Sequence, residues 1–334
     1  MSNVLHVLGS PKLTPLGILA LAAAVAVTYR VPAAPGWLML PPLAALTANL
    51  LAALVIHPRL RREASLLVFH LALLAVLALA TIGRLVETEG RAEVLTGAAF
   101  DPAAVSLVRA GPFGGQERLA GADFVQEGFV VHYRAGMVRG ATASTVTTVG
   151  GERVTFGDTT PLTVGGHRFY TTPNKGYAAL VTWLPNASPA ESGAVHFPSY
   201  PLRDWKQENT IHPSGSAPVR LRLDLPGPPP GAGPWVLDSA TVPSGTRLVV
   251  AAGTIEATLA PGESVELPAG RLRFDAPRMW IGYRVTFDPT LPWLLGAAAV
   301  GVVAIALHFL GLGAARVRRA RGTGAASMRA GQHA

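Results

Sequence analysis

Cysteine is missing from all 334 residues. Without thiols the chain cannot form disulfides, thiolate metal sites or a C-x-x-C redox pair, and the C-x-x-C-H attachment of a c-type cytochrome is impossible. Charge is scarce as well. Asp, Glu, Lys and Arg make up 14% of the residues against 49% hydrophobic ones, and the mean hydropathy is +0.35, more apolar than an ordinary soluble domain. No Walker-type loop, G-x-S-x-G or H-E-x-x-H occurs, which removes the usual nucleotide, serine-hydrolase and zinc-protease signatures. "GPFGG", 111–115, is only a Gly-rich turn. Carboxylates are scattered, so no acid/base pair stands out. Aromatic and basic residues do not interleave, which argues against a nucleic-acid partner.

Four windows are apolar enough to span a bilayer, at about 13–30, 37–56, 65–83 and 291–313, close to the ~20 residues a helix needs. The first is the weakest, closed by Tyr29, Arg30 and Pro32. Residues 85–290 hold 17 Lys and Arg against 19 Asp and Glu, while the rest of the chain holds 11 against 1. The excess basic charge therefore sits at the ends of the spans: Lys12 before the first, Arg59, Arg61 and Arg62 after the second, and Arg316, Arg318, Arg319 and Arg321 after the fourth. The positive-inside rule puts these groups in the cytoplasm. The expected fold class is an integral membrane protein of four transmembrane α-helices plus a large exported all-β, sandwich-like domain.

The expected domains are 1–84 with three spans, an exported domain at 85–290, the fourth span at 291–313 and a basic cytoplasmic tail at 314–334. A cleaved signal peptide in place of the first span is the alternative. The weakly charged start and the lack of a small-x-small site count against it. Arginine outnumbers lysine 25 to 3, which indicates a GC-rich coding bias and hence a bacterial inner membrane.

The region 85–290 alternates as strands do, in "VRLRLDL" (219–225), "GRLRFDAP" (270–277) and "YRVTF" (283–287), with dense Gly and Pro punctuation. "PGPPPGAGP", 226–234, reads as a loop. "PLTVGGHRFYTTPNKGYAALVTW", 161–183, reads as two strands around a turn at Pro173–Gly176. His132, His167, His196 and His212 show no metal-ligand spacing and are expected at the surface or in turns.

Polar groups inside the spans are few. His70 lies five residues after Ser65 and His308 eight before Arg316, each about 7–12 Å from the cytoplasmic end of its helix at 1.5 Å per residue. In the fourth span Ala297, Gly301, Ala304 and His308 share one face, a stripe that admits a close neighbour. Two imidazoles at one depth suit axial ligation of haem iron or a metal; otherwise each hydrogen-bonds a neighbouring helix. His57 is nearer the surface, and Asn49 reads as interhelical glue. A transporter half finds no broken-helix pair beyond Pro41-Pro42.

Several stretches resemble the ResB family of system II cytochrome c biogenesis. "LGSPKLTPLGILALA" is similar to its opening L-x-S-x-K-L, and "ALTANLLAALVIHPRLRR" to its L-N-L followed by basic residues. "FHLALLAVLALATIGRLVETEG" resembles the H-x-x-x-L start of its third span. "PLTVGGHRFYTTPNKGY" is similar to P-L-x-x-x-G-Y-x-F-Y-Q-x-S-Y, with His167 for the tyrosine and Thr171 for the glutamine. "WIGYRVTFDPTLPWLLG" resembles its closing G-L-x-V-x-x-D-P-G-x-P, with Thr290 for the glycine. The resemblance implies a non-enzymatic subunit that assists delivery of transiently held haem across the bilayer and its attachment to exported apocytochrome c, with a CcsA/ResC-type membrane partner. By the resemblance His70 is a haem-ligand position; His308 is a candidate from the helical-face argument alone. The competing reading is a scaffold that binds no haem and whose exported domain docks partner proteins.

Overall fold

The computed structural model describes residues 2–31, 35–201, 206–227 and 233–330, with side chains from residue 4 through residue 311. Pro32 and the centre of the 226–234 loop lie outside the described residues. The arginines at 316, 318, 319 and 321 lie on a described helical backbone, but their side chains are outside it. The chain divides into two compact units: Met1–Glu87, Arg109–Gly114 and Asp288–Ala334 form one, Thr88–Val108 and Gly115–Phe287 the other.

The first unit is helical, with α1 (Ser2–Leu8), α2 (Leu13–Arg30), α3 (Leu40–Ile56), α4 (Ala64–Val86) and α5 (Leu291–Ala330). Runs of Ala and Leu have high helix propensity. Four stretches, Leu13–Arg30, Gly36–Ile56, Ala64–Val86 and Leu291–Gly311, are long and apolar enough to cross a membrane. Pro41 and Pro42 fall in the first turn of α3, where their missing N–H groups have no intrahelical acceptor to lose, so they start the helix without breaking it. Large apolar side chains face outward, among them Leu16 at 61%, Val302 at 66% and Phe309 at 64% exposure.

Between helices the contacts use small residues and a few polar clamps. A Cβ on Gly301 would lie 3.4 Å from that of Ala72, and Ala304 is buried, so the small stripe of α5 packs on α4. Asn49 on α3 donates to the carbonyls of Leu8 (2.5 Å) and Ser10 (3.1 Å) and accepts from Thr14 Oγ1 at 2.8 Å. One amide thus holds the α1–α2 turn, as expected of interhelical glue. At the start of α5 the Asp288 carboxylate accepts from the backbone N–H and the hydroxyl of Thr290, at 2.9 and 2.7 Å.

The second unit is built from β1 (Thr88–Leu95), β2 (Ser106–Ala110), β3 (Phe124–Arg134), β4 (Val138–Thr148), β5 (Arg153–Gly157), β6 (Leu162–Val164), β7 (His167–Pro185), β8 (Glu191–His196), β9 (Glu208–Ile211), β10 (Val219–Asp224), β11 (Trp235–Asp238), β12 (Arg247–Ala252), β13 (Ile255–Leu259), β14 (Ser264–Leu267) and β15 (Gly270–Phe287). They form three sheets: a seven-stranded one ordered β2-β1-β15-β7-β6, with β14 beside β15 and β8 beside β7; a four-stranded β13-β12-β10-β9; and a four-stranded β11-β3-β4-β5. A two-sheet sandwich would have two inner faces. Here residues from all three sheets, such as Phe274, Leu248 and Val131, share one core, which includes Phe124, whose ring stacks on Phe100 and meets Phe169 edge-on, both at 5.1 Å.

The turn expected at Pro173–Gly176 is absent. β7 is one strand of 19 residues. Against β15, Lys175 pairs with Ile281 and Thr171 with Tyr283, so Thr172, Pro173 and Asn174 bulge opposite the single Gly282. A bulge accepts a proline because it is already outside the ladder, which is why turn-forming residues here mark a kink and not a reversal.

Candidate functional site

Within the helical unit a cavity of about 590 Å³ is lined by residues of α2, α3 and α4 and the α3–α4 loop, including Thr14, Leu46, Asn49, His57, His70 and Leu77. That volume is in the ~300–1,000 Å³ range of small-molecule sites. His70 Nδ1 lies 2.7 Å from the carbonyl oxygen of Leu66. A carbonyl only accepts, so Nδ1 carries the proton and donates it. In the neutral ring Nε2 then carries the lone pair, the form in which imidazole binds a metal. His57 Nε2 donates to the carbonyl of Gly9 at 3.2 Å; it lines the same cavity, at the mouth of the α1–α2 turn.

His308 is not among the lining residues. Its Nδ1 is 2.9 Å from Glu63 Oε2 and 3.4 Å from Ser65 Oγ, level with the first residues of α4. His70 lies five residues further along, about 7–8 Å at helical rise. It also points the other way: Ser65 and Ala72 mark the α5-facing side of α4, and at ~100° per residue His70 is some 140–160° from them. The shared level expected from sequence does not occur, and the two imidazoles flank α4 on opposite sides. Among the described residues no cluster of three or more His, Asp or Glu is arranged to hold a metal ion.

In the β unit His132 and His212 are exposed and His196 half-buried, but His167 is only 1% exposed. It begins β7 facing inward and packs its ring on Phe287 at 4.8 Å. Its Nδ1 donates to Gly165 O at 3.0 Å, and its Nε2 is buried without a partner. Burial lowers its pKa, with Arg118 adding to the effect and the Gly165 bond opposing it. The surface expectation fails because the Gly165-Gly166 turn, both at positive φ, feeds the ring into the core.

Sequence reasoning missed Lys175. It is fully buried at 0% exposure and its Nζ has no hydrogen-bond partner. The nearest aromatic face is that of Tyr133, 6.0 Å away, itself stacked on Trp235 at 4.4 Å. Its pKa is lowered to about 7, mainly by burial and also by Arg139, with Asp158 opposing both. Burial also raises Tyr133 and Tyr200 to about 12. Tyr200, Trp235 and Gln207 line a separate cavity of about 510 Å³. The only sequence signal for a buried lysine was its position just ahead of the apolar "YAALV" run.

The β unit also has a third cavity, of about 850 Å³, on the outer face of the seven-stranded sheet, lined by Arg91, Glu93, Asp158, Tyr170, Asn174, His196 and Arg284 among others. Compared with known proteins, the chain matches no family model and no curated protein.

Proposed function

We propose that the chain is a multi-pass membrane protein of the ResB type that holds haem transiently through His70 and serves its attachment to exported apocytochrome c, together with a CcsA/ResC-type partner. The observation that carries this is the imidazole of His70, fixed at Nδ1 by the Leu66 carbonyl and lining a largely apolar cavity beside Leu73 and Leu77. When haem is bound, His70 would hold its iron through the Nε2 lone pair of the neutral ring. Leu66 sets the tautomer and ring orientation, and the leucines keep water away. His308, on the opposite side of α4 with its Nδ1 against Glu63 and Ser65, would not share that iron.

The bilayer placement rests on the four apolar helices, on the apolar side chains they turn outward, and on the basic residues grouped at the span ends. In this reading both termini are cytoplasmic, the β unit is exported, and the membrane is a bacterial inner membrane. The Asn49 clamp and the Asp288–Thr290 cap satisfy polar groups that lipid would leave bare.

The test is haem absorbance of the full chain, purified in detergent with its partner. His70→Ala is expected to abolish the Soret band and cytochrome c maturation, and His308→Ala to leave the Soret band in place. If His70→Ala and His70→Asn both leave maturation intact, haem ligation is wrong and the scaffold reading replaces it.

A further inference from the structure

On the outer face of the seven-stranded sheet three side chains stand in a row across neighbouring strands. Arg91 of β1 is directly opposite Arg284 of β15, and Arg284 is directly opposite Tyr170 of β7. Directly opposed side chains on one face have Cβ atoms about 5 Å apart, and like charges so placed destabilise the pair. Among the described residues neither arginine has a carboxylate partner. The two carboxylates lining the same cavity are already engaged: Asp158 by Arg139 and by the Thr171 hydroxyl, Glu93 by His196 Nδ1 at 2.6 Å. The Arg284 guanidinium is held 5.0 Å over the Tyr170 ring, which fixes its direction without neutralising it.

In the next row of the sheet a bulge packs over a glycine. Glu93 is opposite Gly282, and Gly282 faces the Thr172–Asn174 bulge. With no side chain on Gly282, the bulge packs directly on it, and a Cβ there would lie 2.7 Å from Thr172 Oγ1. The trough beside it is lined from the arginines to His196, whose ring stacks on Trp280 at 5.4 Å. Thr172, Asn174 and Ser106 add hydroxyl and amide groups to the wall. Two uncompensated guanidinium forks at one end of a concave, polar-walled trough match an oxyanion with several acceptor oxygens.

We propose that Arg91 and Arg284 form an anion-binding site on the β unit that takes the phosphate or dicarboxylate group of a small molecule. The site does not depend on haem binding at His70, and none of its readouts involves haem. A bound oxyanion removes the repulsion between the two guanidiniums, so the sheet is more stable with the ligand than without it.

The experiment is calorimetric titration of the full chain in detergent, at low ionic strength, with inorganic phosphate and separately with succinate. Saturable binding of one or both is expected, weakened about tenfold or more in Arg91→Gln and in Arg284→Gln, as for the loss of one charged hydrogen-bonding partner, and unchanged in Arg153→Gln on β5. Stronger binding of phosphate assigns a phosphoryl ligand; stronger binding of succinate assigns a dicarboxylate. Thermal melting gives a second readout: Arg91→Gln should melt at or above the wild type in phosphate-free buffer and below it at saturating phosphate. Saturable binding of neither anion, or undiminished binding in the Arg91→Gln/Arg284→Gln double variant, overturns the proposal.

Discussion

A lysine with no exposed surface and no hydrogen bond is costly in its charged form, and Lys175 is such a residue. Burial favours the neutral amine, which is why its pKa falls to about 7 from the ordinary 10.5. Between those values the unfolded chain binds a proton that the folded one does not, so stability rises with pH across the window, by about 1.4 kcal/mol per unit. Below pH 7 both states are protonated and the full penalty is present. Lys175→Met keeps the length of the side chain and removes the ionisable group. It should raise stability at pH 6 by about 1–4 kcal/mol, the gain typical of replacing buried charge by apolar groups of similar volume, and flatten the rise between pH 7 and 9. Thermal melting of both proteins at pH 6 and pH 9 checks this; an equal pH slope in the two would show that another group titrates. Beyond its place just ahead of "YAALV", nothing in the sequence signalled this, because Lys175 sits among Pro, Asn and Gly, residues that usually mark an exposed turn. His70 differed. An imidazole inside an apolar run is visible without coordinates, whereas the carbonyl that fixes its tautomer and the helix face that separates it from His308 are not.

At the scale of elements the four apolar spans were readable to within a few residues at most of their ends, since length and continuous hydropathy decide them without tertiary help. However, α1 was not read, and α5 continues to Ala330, through the stretch expected to be a tail after 313. The long strands were not readable. β7 and β15 read as several short pieces because glycine and proline interrupt them, and only pairing along their length shows that each is one strand, with Pro173 in a bulge and Gly176 and Pro277 paired in register. Gly282 is the key position. A Cβ there would lie 2.7 Å from Thr172 Oγ1 and 3.0 Å from the Asn174 carbonyl, and the Thr172 hydroxyl already donates to the Gly282 carbonyl at 2.8 Å. Gly282→Val should therefore push the bulge off the sheet and cost about 1–3 kcal/mol, as other overpacking changes do. Gly193→Ala, in β8, has nothing within 4 Å of the new Cβ and should be nearly neutral. Comparing the two melting temperatures separates close approach at Gly282 from a general intolerance of side chains at glycine positions in this sheet.

For the molecule as a whole, composition was informative about architecture and silent about ligands. The proposed orientation rests on the near-neutral balance of residues 85–290 and the basic excess elsewhere, through a rule about translocation. The anion site depends on strand register, which composition does not encode. The proposed topology has a direct test because the chain has no cysteine, so any introduced thiol is the sole reactive one. Ser188 lies exposed between β7 and β8, and Arg62 exposed between α3 and α4; Arg62→Cys leaves Arg59 and Arg61 to hold the loop inside. In intact spheroplasts a membrane-impermeant maleimide should label Ser188→Cys fully. Arg62→Cys should react only after the membrane is permeabilised. The reverse pattern would place the β unit in the cytoplasm, out of reach of exported apocytochrome, and would end the haem-attachment reading whatever His70 binds.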